Sequence, residues 1–415
     1  MRQSAGCGEP ANAWCRKKAE RALLTTLSWK RFHTVRGRET YVGIPAGCRM
    51  AQIQWLLLRS STDVCNGAAG SLFVTDVSAR DAVMPAGRAV SDRPTAIARL
   101  TAVWTILVLA IMVIAFTFAA PHFASRDGWI AVSQAAYETA LLGLAQTLVI
   151  ITENIDLSVG AVLGLGGMVA AFVMEHLLAA HVPTGVIMIL GYGAGIVAGG
   201  IAGLMNGLLV TQLRVVSFLV TLGMLGAATG ATDLINNGQE IVNIPGAVGS
   251  IGNGLLGGWV LTPVLVTAVL YVVVGFWLAK TRTGRHLYAI GSDRQAAERA
   301  GIPVARRLVL TFVLSGVLAA IAGELVMSQF IGASPAAGTG QELNAIAAAV
   351  IGGTSFSGGR GTVLGTIIGA LIIAVLSSGL VMADVNPFWQ EVAIGFIIIL
   401  AVYTDRIRLR LIRAE

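Results

Sequence analysis

Lysine is nearly missing from this chain. It occurs only as Lys17, Lys18, Lys30 and Lys280, and none of these follows a glycine. A phosphate-cradling loop of the GxxxxGK[ST] type requires that pair, so no such nucleotide site exists here. Ser357-Gly358-Gly359-Arg360 resembles a fragment of an ATPase signature, but without a phosphate loop and between apolar runs it reads as a tight turn. Cysteine is confined to Cys7, Cys15, Cys48 and Cys65, at spacings that match no CxxC or Cys/His zinc pattern. The five histidines form no HExxH pair, and no nucleophile motif occurs. These absences predict a chain that is not itself an enzyme and holds no metal or cofactor. Charge is scarce too. Asp, Glu, Lys and Arg make up 12% of the residues, against about 25% in soluble domains, and nothing points to nucleic-acid binding.

What is abundant is apolar sequence, at 55% of residues with a mean hydropathy of +0.76. Apolar runs cover 100–120, 129–152, 159–178, 183–210, 215–235, 260–279, 309–331, 343–356, 362–382 and 388–403. Most approach the length that crosses a bilayer as helix, which predicts an all-α polytopic transmembrane helical bundle of about ten spans. The formal charge of +7 is misleading. Residues 1–93 hold 14 Lys/Arg and 7 Asp/Glu, whereas 94–415 hold 15 of each. The chain thus divides into an N-terminal extension, 1–93, and a transmembrane domain, 94–415. The extension has no signal-peptide core. We expect 1–83 to be either upstream sequence read from a start placed too early or a disordered tail.

Within the domain the positive charge is sorted. Residues 280–308 carry Lys280, Arg282, Arg285, Arg294, Arg299, Arg306 and Arg307 against only Asp293 and Glu298. The tail carries Arg406, Arg408, Arg410 and Arg413. By the positive-inside rule both segments are cytoplasmic, the span count puts both termini there, and 236–260 faces outward. The basic loop has a helix signature: Ser292 with Gln295 fits a capping box, Gly301 fits a stop, and Pro303 prevents continuation. It is either a solvated surface helix or a knob that another protein grips. Arg294 and Glu298 stand four apart and are placed to pair. Ala296, Ala297 and Ala300 form an apolar stripe.

Two further patterns suggest a transport path. Gly191, Gly195, Gly199, Gly203 and Gly207 recur every four residues, which predicts close helix packing, with a smooth pore wall as the alternative. Val149-Ile150, Gly160 and Val162-Leu163-Gly164 recur at Val350-Ile351, Gly361 and Val363-Leu364-Gly365, each 201 residues later. Each copy is an apolar run, a polar turn and a Gly-rich run, the form of duplicated halves with interrupted helices. Asp156 lies in the first turn, where it either serves a substrate path or caps the next helix with Ser158. Asn154, Ser158, Asn206, Gln329, Thr354, Ser355 and Ser357 suit hydrogen bonds to a neutral polyhydroxy substrate, or else to neighbouring helices. Glu324 lies deep in a span and needs a partner or water. Glu138 lies nearer the outer end.

The segments IDLSVG (155–160), NGLLVTQLRV (206–215), FLVTLGML (218–225), TRTGRHLYAIGSDRQAAERAGI (281–302) and ELNAIAAAVIGGTSFSGGRGTVLGT (342–366) resemble the membrane permease subunits of bacterial ABC sugar importers of the ribose, xylose and galactose type. The resemblance runs from about Trp129 to Asp405. It implies an inner-membrane permease that pairs with a second copy or paralogue, two cytoplasmic ATPase domains and a periplasmic sugar-binding protein. It also implies that Ser292, Asp293, Arg294, Ala296, Ala297, Glu298, Ala300 and Gly301 form the element that docks on the ATPase. The chain departs from the family pattern at Glu153-Asn154, Val216-Ser217, Ser292-Asp293 and Ala300. The reading is inward movement of a monosaccharide or polyol by alternating access. Its rivals are an ion-coupled secondary transporter using Asp156 or Glu324, a branched-chain amino-acid permease of the same superfamily, and a structural scaffold.

Overall fold

The structure, a computed structural model, describes residues 96–386 and 388–396, with side chains from Trp104 onward. The N-terminal extension, its cysteines and the basic tail lie outside the described residues. The apolar runs become helices α1 (Ala96–Ala119), α2 (Arg126–Ile151), α3 (Val159–Ala179), α4 (Thr184–Gln212) and α5 (Ser217–Ile235). A short α6 (Gly249–Gly252) and a two-stranded hairpin, β1 (Leu255–Leu256) with β2 (Val260–Leu261), follow. Then come α7 (Thr262–Lys280), α8 (Arg282–Ser292), α9 (Arg294–Arg299), α10 (Val304–Phe330), α11 (Gln341–Ile351) and α12 (Val363–Met382).

Seven of these, α2, α3, α4, α5, α7, α10 and α12, are long and apolar enough to cross a membrane. The protein is an all-α, multi-pass membrane protein. Ile189, Val197 and Ile201 of α4, Leu219 and Leu222 of α5, and Val269, Val272 and Phe276 of α7 all point outward. Such a surface is stable only against lipid or another apolar face. α2 is the opposite case. Leu141, Leu144 and Leu148 are fully buried against Leu163 of α3 and Leu318, Ala319 and Ala322 of α10.

The glycine ladder of α4 packs rather than lines a pore. A Cβ on Gly199 would lie 2.4 Å from Gly316 O, and one on Gly203 would lie 2.2 Å from Phe312 O. Towards the other end, a Cβ on Gly195 would lie 2.5 Å from Gly166 O. The two helices flanking α4, α3 and α10, therefore meet it almost backbone to backbone, where dispersion and close carbonyl contacts replace side-chain interdigitation.

The run expected as the eighth span is corrected. Only Gln341–Ile351 is helical there, about 16 Å of rise and too short to span. Gly353 at φ +93° ends it, a backbone angle that side-chain-bearing residues adopt at a cost. Residues 331–340, between α10 and α11, have no regular helix, yet they reach inward: a Cβ on Gly164 of α3 would lie 2.7 Å from Ala337 O. α3 also begins inside the bundle. Asp156, just before it, bonds to Ser315, eleven residues into α10 and thus about 16 Å from that helix's start. Irregular backbone at such depth persists where protein buries it or where it lines a cavity. Both repeat copies have the same local form, a helix, a tight turn and a Gly-rich helix: α2 into α3, and α11 into α12. The copies also pack together, with Thr147 Oγ1 and Thr366 Oγ1 2.6 Å apart.

Candidate functional site

The basic loop folds as two helices, not one. The Thr281 side chain caps α8 by accepting from Gly284 N, and the close approach of Gly284 to Leu278 makes the sharp corner after α7. The expected capping box shifts by one residue. Asp293, extended at φ −161°, is the cap of α9, and its Oδ1 accepts from Ala296 N at 2.9 Å. Ser292 instead closes α8 by donating to Tyr288 O at 2.8 Å. Asp shares the cap geometry with Ser, and extended backbone at 293 leaves Ser292 inside the preceding helix. Arg294 and Glu298 pair at 3.4 Å across the exposed face, as their spacing predicts. Gly301 ends the helix at φ +80°, its N–H bonded to Glu298 O.

The apolar stripe is corrected in one residue. Ala297 is buried at 3% exposure against Ile290, Val304 and Leu308 of the chain itself. Ser292, Asp293, Arg294, Ala296, Glu298, Ala300 and Gly301 remain exposed. A six-residue helix cannot hold its place alone, and here Ala297 seats it.

α8 connects this knob to the bundle. A Cβ on Gly291 would lie 1.8 Å from Ile151 O at the end of α2, so two backbones touch there. Gly359 N donates to the same Ile151 O at 2.9 Å. Tyr288 donates to Gly361 O at 2.8 Å; burial pushes its phenol up to about 12, so the proton stays on the donor. Arg307 Nη1 bonds Thr283 Oγ1 at 3.0 Å and ties α8 to α10. The turns of both repeat copies and two helix ends thus rest on one short helix.

The eight candidate path residues fall into separate places. Asp156, Ser158 and Asn206 meet in a buried network. Asp156 Oδ1 accepts from Ser158 N at 3.0 Å and Ser158 Oγ at 2.6 Å, while Oδ2 accepts from Ser315 Oγ at 2.9 Å. Asn206 Nδ2 donates to Ser158 Oγ at 2.9 Å, and Gln146 Nε2 to Asp156 O. Ser158 is the cap residue of α3 by position but makes no side-chain cap bond; Asp156 satisfies its N–H instead. Asn154 folds back on Thr152. Thr354 and Ser355 are buried, and Ser357 exposed, in the turn beside Gly291. Gln329 accepts from Tyr137 across α2 and α10. Glu324 is buried against α4, its Oε1 without a hydrogen bond.

None of the eight lines the large cavity. That space, about 600 Å³, lies between α3, α10 and residues 332–338. Leu163, Met168, Val326 and Phe330 supply apolar wall; Glu138, Glu240 and Ser334 supply polar groups. It sits away from the basic loop: Glu240 and Phe330 are exposed at its rim. Among the described residues, no Lys or Arg lines it.

A family model described as the branched-chain amino acid transport system permease component matches residues 130–402. The ribose import permease protein of Escherichia coli K12 is 34% identical over 309 residues, covering 72% of this chain and 92% of that protein. The ribose import permease protein of Bacillus subtilis 168 is 38% identical over 268 residues, 64% of this chain and 80% of its own. The D-allose transport system permease protein of Escherichia coli K12 is 34% identical over 305 residues, covering 73% and 91%. The chain belongs to this permease-component family. No solved structure matches.

Sequence reasoning missed the cavity's polar residues. Glu138 stands within an apolar run, Glu240 within a loop and Ser334 beside a proline, none of them in a recognisable motif. The one available signal was the short, Gly-rich stretch after α10.

Proposed function

We infer that the chain is the transmembrane permease subunit of an ATP-binding-cassette importer that moves a monosaccharide or related polyol inward. The carrying observation is the cavity between α3, α10 and residues 332–338, with carboxylates and a hydroxyl in its wall and, among the described residues, no cationic side chain. A neutral polyol brings hydroxyl donors to such a wall. An amino acid would bring a carboxylate, which needs a cation or several donors once out of water. This favours the sugar named for the relatives over the amino acid named in the family description. Asp156 is fully engaged in helix contacts, which disfavours it as the proton or sodium carrier of a secondary transporter.

The basic loop faces the cytoplasm in this reading, with both termini, and residues 236–260 face the periplasm, where a sugar-binding protein delivers substrate. The exposed face of α9 is the grip for a cytoplasmic ATPase. When the ATPase pair closes on ATP, α9 is displaced and α8 moves with it. Its contacts at Gly291 push the end of α2 and the turn 352–361 together. A tightly packed bundle answers such a push by switching between discrete packings, and the cavity closes outside as a path opens inside. A second copy or paralogue completes the pair.

The test is uptake in vesicles holding the chain with its ATPase and binding protein. Sugar should enter only with ATP on the cytoplasmic side, and proton or sodium ionophores should leave the rate unchanged. Uptake by the chain alone, abolished by an ionophore, would replace this reading with ion coupling.

A further inference from the structure

We propose that Glu138 is a sugar-contacting, specificity-determining residue, holding substrate hydroxyls inside the outward cavity of a single protomer. The proposal rests on the importer reading and adds a site to it.

Four observations carry it. First, Glu138 lies on α2 and lines the cavity, and among the described residues its carboxylate has no hydrogen-bond or cation partner. The neighbouring Tyr137 is locked by its bond to Gln329, and it fixes the helix rotation that aims Glu138 at the space. A partly desolvated carboxylate with free acceptor sites is costly unless something donates to it. Second, the space suits a small polyol. Ligand sites of this size are lined mostly by apolar groups with a few polar ones that orient. Phe330, Val326 and Val242 offer apolar surface to the C–H face of a sugar ring, and Ser334 offers a hydroxyl. Third, the wall at 332–338 is irregular backbone held at depth, with Gly338 at φ +84°. Fourth, a two-bond bridge pins the rim. Ile241 N donates to Ala333 O, and Ala333 N to Ile241 O, both at 2.9 Å. The outer loop therefore reaches the cavity wall directly, and a protein seated on that loop sits over the site.

Two adjacent hydroxyls can donate to both oxygens of one carboxylate, and that pairing depends on their relative orientation on the ring. Glu138 thus distinguishes epimers rather than merely tolerating sugars.

The experiment measures initial uptake of D-ribose, D-allose and D-fructose in vesicles carrying the full chain with its ATPase and binding protein, at equal permease abundance. Glu138→Gln should lower uptake of the preferred sugar about tenfold and change the ratio of rates among the three, with the thermal midpoint of the purified chain unchanged. A purely structural role would lower all three by one factor. That result, or rates within about twofold of the parent, overturns the proposal. Should Glu138→Gln fail to reach the membrane, Ser334→Ala in the same cavity must change the ratio, and an unchanged ratio overturns it equally. A parent chain that moves no sugar at all defeats the importer reading itself, and the parent's own rates keep the two failures apart.

Discussion

Asp156 shows what one carboxylate does where two helices break. Its two oxygens take three hydrogen bonds, two from Ser158 and one from Ser315. They join the first turn of α3 to the middle of α10. Asp156→Asn keeps one acceptor for Ser158, and the Ser315 hydroxyl can rotate to accept from the new amide. We expect a cost of about 1 kcal/mol and near-normal transport. Asp156→Ala leaves the Ser158 N–H and two hydroxyls unpaired in a dry interior, and should cost about 3 kcal/mol. Thermal unfolding of the purified chain in detergent checks both. An equal loss for the two variants would show that the charge, and not the hydrogen bonds, holds the junction. The sequence left open whether Asp156 was a cap or a path residue, because its partner Ser315 is 159 positions away.

Two elements carry predictions of their own. α9 offers one face to the chain and another to solvent, and substitutions should sort by face. Ala300→Asp, on the exposed side, should leave folding intact and abolish ATP-dependent uptake by breaking the grip of the ATPase. Ala297→Asp places a charge among Ile290, Val304 and Leu308, and should lower the membrane abundance of the chain itself. Immunoblotting of membranes beside uptake separates the outcomes, and normal transport by Ala300→Asp would remove α9 from the coupling role. On α4, Gly203→Leu cannot fit against the Phe312 carbonyl and should destabilise by about 3 kcal/mol or more, read as a lowered thermal midpoint. Gly193→Leu on the same helix meets open space and should be neutral. The glycine ladder was legible because its period is local. The α9 face was half legible: the helix, its stop and the Arg294–Glu298 pair follow from spacing, but Ala297 turns inward because α10 packs behind it.

For the whole molecule, sidedness is the open property that a single labelling experiment decides. Ser357 is exposed beside the basic loop, and Ser250 is exposed in the opposite loop region. In a background with the four cysteines replaced, Ser250→Cys should react with a membrane-impermeant thiol reagent from outside intact cells. Ser357→Cys should react only after permeabilisation. The reverse pattern would invert the topology and place the cavity towards the cytoplasm.

Composition and periodicity were enough to determine that this chain is a helical membrane protein, that it lacks the common phosphate-loop nucleotide site, and that seven of the 15 basic residues in 94–415 sit in one loop with a helix signature. Those properties are local: a run of apolar residues demands lipid, and a missing Gly-Lys pair removes the phosphate loop, whatever the rest of the chain does. The tertiary structure decided that residues 343–356 do not span, because a positive-φ glycine stops the helix after eleven residues and the segment before it reaches into the bundle. It also decided where the cavity lies. Glu138, Glu240 and Ser334 are nearly 200 positions apart at the extremes, and only the packing of α3 against α10 brings them around one space. Most of the polar residues that stood out in the sequence lie in helix breaks, where Asn154 and Asp156 hydrogen-bond to the backbone of the break itself. The polar residues that line the cavity sit on ordinary helix and loop positions, which carry no local mark.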